Sequence, residues 1–181
     1  MISQIVLSPI GPLKITVDDG FVTGLGFYRG YTDAERPGQA PVSRIFPLSS
    51  HIHGELHPED LNILDKTIKE LDSYFSGRLR RFSVPVKVSG TQFQQAVWRA
   101  MSEIPYGQTK TYKELAKAAG SPKAARAVGN ACAANPVAII IPCHRVVAQH
   151  GLGGFGGGTS AKQWLLALER QNSQTSVTDK V

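Results

Sequence analysis

The sequence predicts an α+β protein in two parts, a small β-sheet domain with a helix followed by a helical domain that contains a helix-turn-helix. Three observations lead there. Residues 2–28 alternate short β-branched and aromatic runs with turn signals, apolar residues from 59 onward recur at helical spacing, and residues 91–135 hold three helix-length segments divided by Pro and Gly. The parts are drawn at residues 1–88 and 89–170, leaving 171–181, QNSQTSVTDKV, as a polar tail expected to be disordered.

Within IVLSPIGPLKITVDDGFVTGLGFY, Ile-Gly-Pro and Asp-Asp-Gly breaks separate apolar runs, which is the pattern of successive hairpin strands. Residues 29–58 are rich in Gly, Pro, His and Ser and read as a long irregular connection. Leu61, Leu64, Ile68, Leu71 and Phe75 then mark one face of a helix that Gly77 stops. RRFSVPVKV is a short extended piece, and Ser89-Gly90 is the candidate boundary.

In the second part, Thr91 caps a helix whose apolar stripe is Phe93, Val97, Trp98 and Met101, ended before Pro105-Tyr106-Gly107. Thr111 opens a second helix, TYKELAKAAG, and Ser121-Pro122 separates it from a third, KAARAVGNACAAN. Two helices joined through a short Gly-containing turn make a helix-turn-helix, whose second helix usually enters a DNA groove. Ala124, Ala125, Ala127 and Ala131 keep that helix thin, which suits close approach to nucleic acid and equally suits tight packing.

The chain has 181 residues, a formal charge of +6 and a sequence pI near 9.5, so anionic partners are favoured, whether nucleic acid, acidic membrane or polyanion. No run approaches the roughly 20 apolar residues of a membrane span, and the first residues lack a signal-peptide pattern. A soluble, cytoplasmic protein is expected. Cys132 and Cys143 are the only cysteines, too few for a disulfide framework, and both are expected as thiols. His51, His53 and His57, with Glu55 and Glu59, have metal-ligand chemistry but sit in a Gly- and Pro-punctuated stretch that reads as a solvated loop, so no metal is assigned.

The chemistry concentrates in NPVAIIIPCHRVVAQHGLGGFGGG. Residues 137–141 read as a buried strand that Pro142 ends, so that Cys143-His144-Arg145 emerges beside a glycine-rich loop. A thiol becomes nucleophilic as thiolate, which a neighbouring imidazole or guanidinium favours, and His144 and Arg145 supply one of each. Adjacent side chains in an extended segment point to opposite faces, so a turn or a water has to connect His144 to the sulfur. A base also needs an orienting group, and Glu169, on a helix read from QWLLALERQ, is the nearest downstream carboxylate.

TQFQQAVWRAMSEIPYGQTKTYKELA, SPKAARAVGNACAANP, IPCHRVV, GGFGGG and WLLALE, in that order across residues 91–169, resemble the O6-alkylguanine-DNA alkyltransferases. The N-terminal half matches only loosely, and is compatible with that family's ribonuclease-H-like domain ahead of a winged-helix-like one. The resemblance implies direct-reversal repair, in which an O6-alkylguanine, or an O4-alkylthymine, is flipped from double-stranded DNA and its alkyl group passes irreversibly to Cys143. It implies no cofactor, no membrane and no obligate protein partner.

By the same resemblance His144, through a water, is the base and Glu169 orients it, while Asn135 ties the helix-turn-helix to the active-site loop. Tyr112 helps expel and stabilise the leaving guanine, and Arg126 is the finger that replaces the extruded nucleotide. The carbonyls of Cys143 and Val146 read the guanine amino group, with Gly154, Phe155 and Gly156 in the loop 153–157 that walls the pocket. Lys113, Ser121, Ala124 and Gln149 are implied DNA contacts.

One departure is Gly156, which stands where many relatives carry serine and leaves only a backbone amide for the guanine oxygen. Cys132 is read as a buried, inert thiol. Three rival readings each leave a feature of the sequence unexplained. A non-catalytic, alkyltransferase-like lesion binder is opposed by Cys143, a Cys-His hydrolase does not account for the helix-turn-helix, and a transcription factor leaves IPCHRV unexplained.

Overall fold

A computed structural model describes residues 1–28 and 57–174, and the chain divides between Lys87 and Val88 into two compact units. Among the described residues the fold is mixed, with a small antiparallel sheet and five α-helices.

The first unit begins as the turn signals require. Strands β1 (Ile2–Val6), β2 (Leu13–Asp18) and β3 (Phe21–Phe27) form an antiparallel sheet in the order β1-β2-β3, with Ile2 opposite Val17 and Leu13 opposite Phe27. Alternation sends Ile2, Val6, Leu13, Ile15 and Val17 to the buried side, and a register shift between Thr16 and Val17 brings both Val22 and Leu25 of β3 to it. Helix α1 (Pro58–Phe75) covers that face with Leu64, Leu71, Tyr74 and Phe75. Proline at its first turn, with Glu59 and Asp60 beside it, suits a helix start. Asp60 is itself buried, because its Oδ1 accepts the Gly20 N–H at 2.7 Å and so fixes the β2–β3 turn. Of the histidine cluster only His57 falls among the described residues, as the cap position of α1.

The second unit is helical, and both threonine caps form. Thr91 heads α2 (Gln92–Ser102) with a reciprocal capping box to Gln94, and Thr111 heads α3 (Tyr112–Ala118) with the same box to Glu114. Helix α4 (Ala125–Ala133) completes the helix-turn-helix, the connection running over residues 119–124 and so longer than expected. Val97, Trp98 and Met101 of α2 bury against Leu115, Ala116, Val128 and Ala131, and the Trp98 indole donates to the Ala131 carbonyl at 2.9 Å. Helix α5 (Gly158–Gln174) is the last element among the described residues. Residues 171–174, expected in a disordered tail, belong to this helix, where Asn172 donates to the Leu168 carbonyl and Ser173 to that of Arg170. Residues 175–181 lie outside the described residues.

A larger correction concerns residues 137–141. They are buried almost throughout, as their composition requires, yet they form no strand. An isolated bridge joins Ala138 to Ile141, and Ile139 sits at φ +72°, a left-handed conformation that no strand includes. The cause is Asn135, whose amide donates to the Ile141 carbonyl at 2.8 Å while its Oδ1 accepts the Val137 N–H at 3.1 Å. The side chain satisfies the backbone groups that a partner strand would have used and closes the segment into a compact loop.

Candidate active site

Cys143 opens a 3₁₀ turn, Cys143–Arg145, and does not sit at a strand end. Immediately after it, β5 (Val146–Val147) pairs in parallel with β4 (Lys110–Thr111), Lys110 opposite Val146 and Thr111 opposite Val147. This short ladder sets the start of α3, and therefore Tyr112, beside the cysteine turn.

The Cys143 sulfur is almost wholly buried, and burial pushes its thiol pKa up. Four groups oppose that push. They are the Asn135 side-chain amide, the Lys162 charge, and the backbone N–H groups of Cys143 and His144. Asn135 thus engages the sulfur with the amide that shapes the preceding loop. Burial without these donors would leave an inert thiol; with them the thiolate has a prepared seat.

His144 is fully buried, and its Nε2 lies 2.8 Å from Glu169 Oε1. Burial lowers the imidazole pKa against the opposing pull of Glu169. Burial alone would raise the Glu169 pKa, but hydrogen bonds and charge from His144 and Arg145 outweigh it and bring the carboxyl to about 2. An ionised carboxylate only accepts, so the proton of a neutral His144 resides on Nε2 and Nδ1 is left as the basic nitrogen. The edge of the Phe155 ring approaches the imidazole, with centroids 6.4 Å apart.

Arg145 corrects the sequence reading. Its guanidinium, expected to support the thiolate, turns onto Glu169 instead, with Nε at 2.9 Å from Oε2 and Nη2 at 3.0 Å from Oε1, and Nη1 donates to the Ile104 carbonyl at 2.7 Å. The Gly107 N–H also reaches Glu169 Oε2 at 3.0 Å. Gly107 is at φ +78°, and a Cβ there would stand 2.7 Å from Ser173 Oγ, so this position takes glycine only.

The cation whose charge acts on Cys143 is Lys162, which sequence reasoning missed. It is fully buried on α5, donates to the carbonyls of Val146 at 2.6 Å and Gly154 at 3.2 Å, and its charge favours the thiolate. A signal was present, because Lys162, Leu165 and Glu169 fall at i, i+3 and i+7, which continues the WLLALE stripe back to a lysine. The Val146 carbonyl therefore already accepts one hydrogen bond.

Tyr112 is half-buried, and burial raises its phenol pKa, helped by the nearby Cys132 and Cys143 and opposed by a hydrogen bond from the Gly154 backbone. Gly153, at φ +70°, lies so close that a Cβ would stand 2.9 Å from the tyrosine ring. By contrast, Cβ atoms at Gly154 and Gly156 would meet nothing within 4 Å, so this part of the loop borders open space. Cys132 is only partly buried, with its sulfur 3.6 Å from that of Met101, and burial pushes its thiol up to about 12.

Cys143, His144, Glu169, Asn135, Tyr112, Val146 and Gly154 are thus joined in one contact network, and Phe155 and Gly156 continue the same loop. Arg126, at the second position of α4, is exposed, as are Lys113 on α3 and Gln149 after β5. Ala124 is the cap position of α4, its N–H on the Ser121 carbonyl at 2.9 Å.

A sequence profile of the 6-O-methylguanine DNA methyltransferase DNA-binding domain matches residues 92–171. The methylated-DNA–protein-cysteine methyltransferase of Mycobacterium leprae is 40% identical over 172 residues, covering 94% of this chain and 93% of that protein. The enzyme of the same name from Methanosarcina barkeri is 39% identical, covering 95% of this chain and 99% of that protein. A crystal structure of Mycobacterium tuberculosis OGT in complex with DNA superposes with a TM-score of 0.75 at 37% identity, covering 94% of this chain and 93% of that one. With a buried thiol, imidazole and carboxylate in one network behind a helix-turn-helix, and identity of this extent, the chain belongs to the methylated-DNA–protein-cysteine methyltransferases.

Proposed function

We propose that this chain removes alkyl groups from O6-alkylguanine, and from O4-alkylthymine, in double-stranded DNA by taking them onto Cys143. Its activity is direct-reversal DNA repair, and DNA is its partner. The observation that carries the residue assignment is the seat of Cys143. Its sulfur meets the Asn135 amide and the first N–H groups of the 3₁₀ turn, while the adjacent His144 is held by Glu169 at 2.8 Å.

The chemistry follows from these groups. The Cys143 proton passes through a water to His144 Nδ1, and the thiolate attacks the alkyl carbon. A carbon–sulfur bond forms as the carbon–oxygen bond breaks, its electron pair leaving with the guanine. Burial keeps Tyr112 a protonated phenol, suited to donating toward the departing base. The lesion lies inside the duplex, so the nucleotide has to flip, at a cost of a few kcal/mol. Exposed Arg126 on the recognition helix replaces it in the stack. Lys113, Ser121, Ala124 and Gln149 hold the DNA backbone, and Phe155 with the open side of Gly154 and Gly156 walls the base pocket. The product is a thioether that no neighbouring group can cleave, so each molecule acts once.

The first unit is read as ribonuclease-H-like and the second as winged-helix-like, with the domain boundary at residues 88–89 and a cytoplasmic location. Among the described residues no helix is long and apolar enough to cross a membrane. The reading calls for no cofactor.

Incubation with duplex DNA carrying O6-methylguanine should add one methyl group per molecule, mapped to Cys143 and absent in Cys143→Ser. A methyl group on Cys132, or more than one equivalent transferred, overturns the assignment. Arg126→Ala should slow transfer from duplex far more than from free O6-benzylguanine. Equal losses on the two substrates would remove the finger role.

A further inference from the structure

Four ionisable side chains are buried in one small region of the second unit: His144, Arg145, Lys162 and Glu169. Three of them touch. Glu169 receives His144 on Oε1 at 2.8 Å and the Arg145 guanidinium across both oxygens at 2.9–3.2 Å. Arg145 is anchored independently, through Nη1 to the Ile104 carbonyl and by the face of Tyr106, whose ring centroid lies 5.7 Å from its Cζ. Such anchoring fixes the guanidinium whatever the protonation state of its neighbours.

With Arg145 cationic, Glu169 anionic and His144 neutral, the trio carries no net charge. A proton added to it would create a buried unit cation, which is heavily penalised in a dry interior. Without the guanidinium the remaining pair would be a buried unit anion, and the same proton would neutralise it. This holds wherever that proton resides, on imidazole or on carboxylate.

We propose that Arg145 is a positioning residue for alkyl transfer: by neutralising Glu169 through a two-oxygen fork, it keeps the buried His144 imidazole neutral and in the tautomer that leaves Nδ1 basic. The inference rests on the reading of His144 as the base for Cys143. It separates two tasks that one carboxylate would otherwise confuse. Glu169 orients the ring, and an unneutralised Glu169 would also bind the very proton the ring has to lack at the start of the reaction.

The charged and titratable groups around the imidazole agree. Lys162 and Glu169 face it from α5, Arg145 and Cys143 from its own turn, and Tyr106 reaches it through Arg145 from the loop after α2. Tyr112 of α3 and Cys132 of α4 feel the Cys143 charge, and neither acts on the ring. Arg145 and Lys162 both disfavour a second proton on His144, and only Glu169 favours one.

The test combines nitrogen-15 NMR titration of His144 with the pH dependence of methyl transfer, using the full chain and duplex carrying O6-methylguanine. In the native protein His144 should remain neutral, protonated on Nε2, to below the ordinary imidazole range. Titration within or above that range overturns the proposal without any variant. In Arg145→Gln the pair should take up its proton about one pH unit higher or more. Methyl transfer should then fall about tenfold on the acid side, with a smaller loss at alkaline pH. Should Arg145→Gln not fold, Arg145→Lys carries the test, since one ammonium donor replaces the fork and proton uptake should rise by a smaller step. A His144 titration unmoved in the folded variant overturns the positioning role, whatever the rate does. A titration that moves while the acid limb of the rate stays fixed leaves the Arg145 coupling intact and refutes His144 as the base.

Discussion

Both units bury an apolar core, and they differ in how much charge they bury beside it. Between sheet and α1 the first unit is an apolar core, with Asp60 its one buried charge among the described residues, and that carboxylate caps a turn. The second unit buries His144, Arg145, Lys162 and Glu169 around a buried thiol. Burying apolar area contributes stability directly, at about 25 cal/mol per Å². Burying paired charges is at best neutral against apolar packing of the same volume. The first unit is thus built mainly on apolar packing, and the second holds a charged network that stability alone does not call for.

The largest expected effect tests that contrast from the polar side. Glu169→Ala strands the Arg145 guanidinium and frees the imidazole, so it should destabilise by about 3–5 kcal/mol. It should also lower methyl transfer per folded molecule by at least about a hundredfold, on the scale expected of a lost base. Denaturant melts and single-turnover rates read the two separately. A stable, active Glu169→Ala would show that the network is ornamental.

Leu13→Ala is the matching change in the apolar core. Leu13 is fully buried in β2, and its truncation should cost about 2–5 kcal/mol. Methyl transfer per folded molecule should not change. A loss of rate exceeding the loss of folded protein would break the division drawn between the units.

The response to acid should sharpen the same comparison. The unfolded chain takes up the Glu169 proton near 4.5, whereas the folded one holds it off to about 2. Between those values the unfolded state binds more protons, so this contribution to stability, of the order of a few kcal/mol, is lost as pH falls. His144 acts earlier with the same sign, because its folded pKa lies below 6.5 and its unfolded imidazole protonates first. Melting temperature against pH should show both losses in the native protein and in Leu13→Ala. Glu169→Gln should lack the lower one; an unchanged acid slope there would assign the effect elsewhere.

The smallest effect belongs to the loop. Gly156 is not in the positive-φ region and a Cβ there meets open space, so Gly156→Ala should change stability by less than about 0.5 kcal/mol. Gly153→Ala, which drives a carbon into Tyr112, should cost more and slow transfer. Parallel melts and rates of the two variants decide whether position or glycine content sets the loop.

Much of this protein was legible in its residues. Turn signals and period-two alternation located the three strands, the 3.6-residue period and Gly77 located α1, and Thr91 and Thr111 marked two helix starts, because these are local effects of a few neighbouring residues on one backbone. IPCHRV and Glu169 likewise pointed to a thiol, an imidazole and a carboxylate. Tertiary structure decided the rest. Hydrophobic runs report burial and not hydrogen-bond partners, so residues 137–141 were buried as read but looped by Asn135 and not paired as a strand. Chain adjacency likewise cannot say where a long side chain ends. Arg145 lies two residues from Cys143 and serves Glu169, whereas Lys162, well downstream, brings its charge to the thiolate, because a buried charge goes where the fold has left it an oxygen or a counter-ion.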